Sequence, residues 1–138
     1  MPRLPLQPLP ARPAQALADA WLTRLEHALA DPTIDRSDLC RETLLALTYP
    51  QYVGHYEATL ADESVPVGTR LSLSALDPRN VTLEPEYYAD CDQTRFQRVK
   101  PLLWLWYSFD RLPLGGQAVD LGVRFRRLLA PHVFKRVG

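Results

Sequence analysis

Cysteine is scarce in this chain of 138 residues: Cys40 and Cys91 are the only two. That excludes a disulfide-built scaffold. Neither their spacing nor a secretory leader supports a bridge, so both read as reduced thiols of a cytoplasmic protein. Long apolar runs are lacking as well. The longest, residues 101–107, is far short of the ~20 residues a membrane span needs. After Arg3 the N-terminus runs into prolines, not into the ~7–15-residue apolar stretch of a leader. Net charge is missing: 16 basic residues balance 16 acidic ones for a formal +0, which argues against bulk electrostatic binding of nucleic acid. Only 6 glycines occur, and none builds a phosphate loop. H-E-x-x-H, Cys-x-x-Cys, G-x-S-x-G and any internal repeat are absent too. The expected catalytic residues, metal ligands and cofactors are therefore none.

What is present suits one ordinary helical domain, since 46% of residues are hydrophobic and 23% charged. The 13 prolines cluster at segment edges. Five of them fall in residues 1–13, a Pro-rich tail that reads as a polyproline strap or a docking peptide. Residues 14–138 make the helical domain. Residues 14–30 carry Leu17, Trp21, Leu22, Leu25, Ala28 and Leu29 at helical spacing, and Asp31-Pro32 ends that helix. His27 reads as a surface residue. Residues 35–48 form a second helix, with Asp35 or Ser37 as cap and a stripe of Leu39, Leu44 and Leu47. Residues 49–61 continue with Tyr49, Tyr52, Val53, Tyr56 and Leu60, although Gly54 weakens a helix there by ~1 kcal/mol. His55 and Glu57 invite a base-and-orienter reading, but residues two apart on a helix do not face each other.

The middle of the chain is irregular. Leu71 and Leu73 alternate with serines, and Val81 and Leu83 alternate with Thr82 and Glu84. Asp77-Pro78-Arg79-Asn80 between them has type I turn chemistry. One short β-hairpin fits this pattern, and a short helix over residues 72–76 competes with it. Glu84, Glu86, Asp90 and Asp92, with Tyr87 and Tyr88, read as a solvated acidic loop, because no calcium-ligand spacing is present.

The C-terminal third holds the densest aromatic run. Residues 93–109 are helical by the spacing of Phe96, Val99, Leu103 and Trp106, with Pro101 expected to kink or delay the helix. Leu102, Trp104 and Leu105 add a second apolar face, as in a helix buried between layers or offered to a partner. Residues 112–116 turn the chain. Residues 117–134 form a basic amphipathic helix with Leu121, Phe125, Leu128 and Leu129 on one side; Pro131 breaks or kinks it. The expected fold is mainly α, about five helices in one small domain. Its core joins Trp21, Leu25, Leu44, Tyr52, Phe96, Leu103, Trp106, Phe125 and Leu128.

The order LLWLWYSFDR, LPLG, LGVRFRRLLAPHVFKRVG resembles the segment just before the left-handed β-helix of hexapeptide-repeat O-acyltransferases of the colanic-acid and maltose acetyltransferase type. Trp104, Trp106, Arg124, Arg126, Arg127, Phe134 and Gly138 stand in the matching places. The likeness covers about a quarter to a third of the chain. The family's catalytic histidine lies in the coils, which would begin after Gly138, and His132 does not match it. The resemblance implies a non-catalytic helical or accessory region of an acyl-CoA-dependent enzyme, inactive alone, that acts in assembly or acceptor binding. The alternative is a stand-alone adaptor that binds a protein partner, or a second copy, through Trp104, Trp106, Arg124, Arg126, Arg127, Lys135 and Arg136. Nucleic acid is not expected, and membrane contact would be peripheral only.

Overall fold

Apolar residues three and four apart, interrupted by proline, glycine and acidic caps, divide the chain into short helices. The structure is a computed structural model and describes residues 13–83 and 92–134. In order the helices are α1 (Pro13–Ala30), α2 (Arg36–Thr48), α3 (Tyr56–Ala61), α4 (Val67–Ser74), α5 (Gln93–Asp110), α6 (Pro113–Gly116) and α7 (Val119–Val133). No strand occurs among the described residues, so the fold is mainly α, as expected. Most of the proline-rich tail, the acidic stretch 84–91 with Cys91, and residues 135–138 lie outside the described residues.

Local chemistry sets the helix ends. Asp35 caps α2 by accepting from the Asp38 N–H at 3.0 Å, and Asp92 caps α5 by accepting from the Arg95 N–H at 3.1 Å. Gly54, at φ 80°, occupies the left-handed region that side chains disfavour. It breaks the helix expected over 49–61 into a 3-10 turn at Pro50–Tyr52 and the short α3. The expected hairpin is replaced by α4 and a 3-10 turn at Pro78–Asn80. Residues two apart on a helix lie about 200° apart, so a brief alternation also fits a helix. Leu73 is fully buried while Leu71 is 65% exposed. The Asp77 turn chemistry holds, since its carboxylate accepts from the Arg79 N–H at 2.9 Å. Pro101 and Pro131 each remove one backbone donor, yet α5 and α7 run through them.

Helix α5 is the central element, with α2 and α7 packed against it and α1 against α7. The main core takes Leu22, Leu25 and Leu29 from α1, Cys40 and Leu44 from α2, Leu102, Leu105 and Phe109 from α5, and Phe125, Leu129 and Val133 from α7. Burial pushes the Cys40 thiol up to about 12. This corrects the expected face of α5. Leu103 and Trp106 only flank the core, and Phe96 belongs to neither apolar cluster. Leu17, expected inward, is 72% exposed. Tyr52 packs instead on a second cluster built from Leu45, Tyr56 and Leu73.

Two glycines let the C-terminal helices close on one another. A β-carbon on Gly115 would collide with the Phe109 carbonyl oxygen and meet the Phe109 ring at 2.7 Å. One on Gly122 would come within 2.6 Å of the Gly115 carbonyl oxygen. This approach brings the Phe109 and Phe125 rings into a stack at 3.8 Å, with Trp21 beside both at 6.1 and 5.8 Å. We expect Phe109→Ala to cost ~3–5 kcal/mol and Gly115→Ala ~1–3 kcal/mol through overpacking. Leu17→Ala should stay within ~0.5 kcal/mol of wild type. Urea unfolding of the three variants checks the ranking; a Gly115→Ala chain as stable as wild type would disprove the close approach.

Candidate functional site

The expected partner-binding residues serve different purposes in the fold. Arg124 crosses from α7 to α1 and donates to Asp19 Oδ1 at 2.6 Å, with Asp120 at 3.9 Å. Arg126 donates to Asp110 Oδ1 at 2.5 Å and to the Gly115 carbonyl at 3.4 Å, which pins α7 to the turn after α5. Arg127 is exposed. Trp106 meets the Phe134 ring edge-on at 5.8 Å. Trp104 packs against the core, and its indole N–H is buried without an acceptor among the described residues. One turn later the Ser108 hydroxyl is in the same state. Lys135 and Arg136 lie outside the described residues.

A second group of charges holds the middle of the chain to α2. Arg41 lies 3.5 Å from Asp77, 3.6 Å from Asp38 and 3.0 Å from Glu42, with its guanidinium 4.5 Å above the centre of the Tyr56 ring. Arg79 reaches Asp35 at 2.8 Å, Asp38 at 2.9 Å and Asp77 at 3.2 Å. Asp77 is 6% exposed, so it needs these partners. His55 and Glu57 are both exposed and share no hydrogen bond, so no base-and-orienter pair forms. Among the described residues no three His, Cys, Asp or Glu side chains gather as metal ligands. No described helix is long and apolar enough to cross a membrane.

A cleft of about 630 Å³ opens where the start of α2, the first half of α5 and the end of α7 meet. Arg36, Asp92, Arg95, Arg98 and His132 line it, with Val99, Pro131 and Phe134 as its apolar wall. Arg36 Nη2 lies 3.5 Å from His132 Nδ1, and Arg95 Nη2 donates to the Val133 carbonyl at 3.5 Å. The second contact places a cation at the negative end of α7. Burial, then the Arg36 charge, holds His132 below its ordinary 6.5. If Nδ1 accepts from Arg36, the ring proton resides on Nε2.

No protein-family model, curated protein or solved structure matches this chain. The cleft was not legible in the sequence, because its arginines come from two helices and Arg36 stands 59 positions before Arg95. Only Arg95 and Arg98, three apart on one helix face, left a local signal.

Two measurements check these environments. The folded-state midpoint of His132 lies below its unfolded value. Its contribution to stability is therefore whole above about pH 6.5 and is lost as pH falls through the folded midpoint. An NMR titration should place His132 below 6.5, and a midpoint above that value would contradict the arrangement. Ser108→Ala removes a buried, unpaired hydroxyl, so it should leave stability unchanged or raise it by up to ~1 kcal/mol. A clear loss in urea unfolding would show that the hydroxyl has a partner.

Proposed function

We propose that this chain is a non-catalytic helical region of an acyl-CoA-dependent hexapeptide-repeat O-acyltransferase, acting in assembly or in binding the acceptor. The observation that supports the reading is the unit formed by α5, α6 and α7. The three parts of the resemblance, which are the tryptophan helix, the Pro-Leu-Gly turn and the arginine-bearing helix, pack together as one body. Phe109 stacks on Phe125, Arg126 bonds to Asp110 and to the Gly115 carbonyl of the turn, and Trp106 meets Phe134. In the family such a segment leads directly into the coils, where the chemistry is done. The described residues carry no paired nucleophile and base.

A second reading, a stand-alone adaptor, draws on Tyr107 and Phe134, which are 47% and 49% exposed. Apolar surface of this kind beside the exposed Arg127 has the composition of a protein interface. The contact would take either another protein or a second copy of the chain. Trp104 is a poor probe of it, because its indole nitrogen is buried.

Three measurements separate the readings. The purified chain should show no thioester turnover with acetyl-CoA and hydroxyl acceptors. An antibody raised against it should recover from cells a polypeptide heavier than 15.7 kDa, with acyltransferase activity in the precipitate. A native polypeptide of 15.7 kDa without such activity would overturn the acyltransferase reading. It would favour the adaptor if sedimentation then shows an oligomer that Tyr107→Glu dissociates.

A further inference from the structure

The arginines of this chain are not treated alike. Arg41, Arg79, Arg124 and Arg126 each have a carboxylate within 4 Å. Arg36, Arg95 and Arg98, which share the cleft at the α2, α5 and α7 junction, have none among the described residues. The one described carboxylate in that cleft, Asp92, accepts from the backbone N–H of Arg95. Among the described residues, three guanidinium groups share a space of about 630 Å³ with a single carboxylate. Like charges lining one cleft repel one another, and an anion among them relieves the repulsion.

We propose that this cleft binds a small molecule bearing a phosphate group. Arg36, Arg95 and Arg98 surround the phosphate, and Val99, Pro131 and the Phe134 ring hold its apolar part. Arg36 and Arg95 are already oriented by single long bonds to neutral acceptors, His132 Nδ1 and the Val133 carbonyl. A guanidinium has five N–H donors, so each keeps most of them for a ligand. Holding the side chains in advance lowers the entropy lost on binding. Three forked donors exceed what the two oxygens of a carboxylate accept, and they suit the oxygens of a phosphate. The volume fits one small molecule, since such sites run ~300–1,000 Å³. A nucleic acid would need a longer basic track than this cleft and a chain of +0 net charge provide.

The test is calorimetric titration of the full chain at low salt with inorganic pyrophosphate, inorganic phosphate and phenyl phosphate. We expect saturable binding of pyrophosphate, and tighter binding of phenyl phosphate than of inorganic phosphate because of the apolar wall. Arg98→Gln should weaken binding about tenfold, and because Arg98 is exposed the fold should survive the change. Arg24→Gln, which removes the same charge from exposed α1 surface, should change nothing. The NMR signals of the His132 ring should move on titration. A sedimentation arm with phosphatidylcholine vesicles containing phosphatidate identifies the source of the phosphate. Vesicle binding that Arg98→Gln abolishes assigns it to a lipid headgroup, and soluble phosphates alone assign it to a free metabolite. Absence of saturation in both arms, or equal losses in Arg98→Gln and Arg24→Gln, would overturn the proposal.

Discussion

The whole C-terminal half depends on two positions where no β-carbon fits. Gly115 lies against the backbone of Phe109, and Gly122 lies against the carbonyl of Gly115. Only that closeness lets α6 fold back at the end of α5 and lets α7 return along it. The Phe109–Phe125 stack then becomes the centre of the core, and Trp21 brings α1 onto it. Arg126 spans the same turn from the outside. Apolar burial supplies the driving force, but the glycines decide which apolar faces can meet.

The helices themselves were legible. Their periodicity, the Asp35 cap, the turn chemistry at Asp77 and the break at Asp31-Pro32 all follow from side-chain chemistry acting over a few residues. What failed was the choice among equivalent faces. Around residues 101–106 nearly every position of α5 is apolar, so spacing alone supports a stripe through Leu103 and Trp106 as well as one through Leu102, Leu105 and Phe109. The partners α2 and α7 select the second. The tyrosine segment misled for a related reason. Its spacing is helical, but one glycine with positive φ divides it. At Leu71 and Leu73 four residues of alternation were too few to distinguish a strand from a helix that turns one leucine in and the other out.

Charge was the least legible property. A net charge of +0 conceals at least three different uses of arginine. Arg41 and Arg79 knit α2 to the turn at Asp77, Arg124 and Arg126 fasten α7 to its neighbours, and Arg36, Arg95 and Arg98 remain around one cleft. The basic run in α7 drew attention to itself because it is contiguous. Two of its members turned out to be structural, and the cations that gather elsewhere are scattered through the sequence. Pairing is a property of the tertiary fold, and composition carries no record of it.

Cys40 shows what such a core does to reactivity. With its thiol raised to about 12, the thiolate makes up on the order of 10⁻⁵ of the population at pH 7. Peroxide and alkylating agents thus find almost no nucleophile in the closed molecule, and they have no path to the sulfur. Modification of Cys40 has to wait until α2 parts from α1 and α5. Its rate counts how often the core opens, which makes this thiol a clock for breathing motions and a poor sensor of redox state.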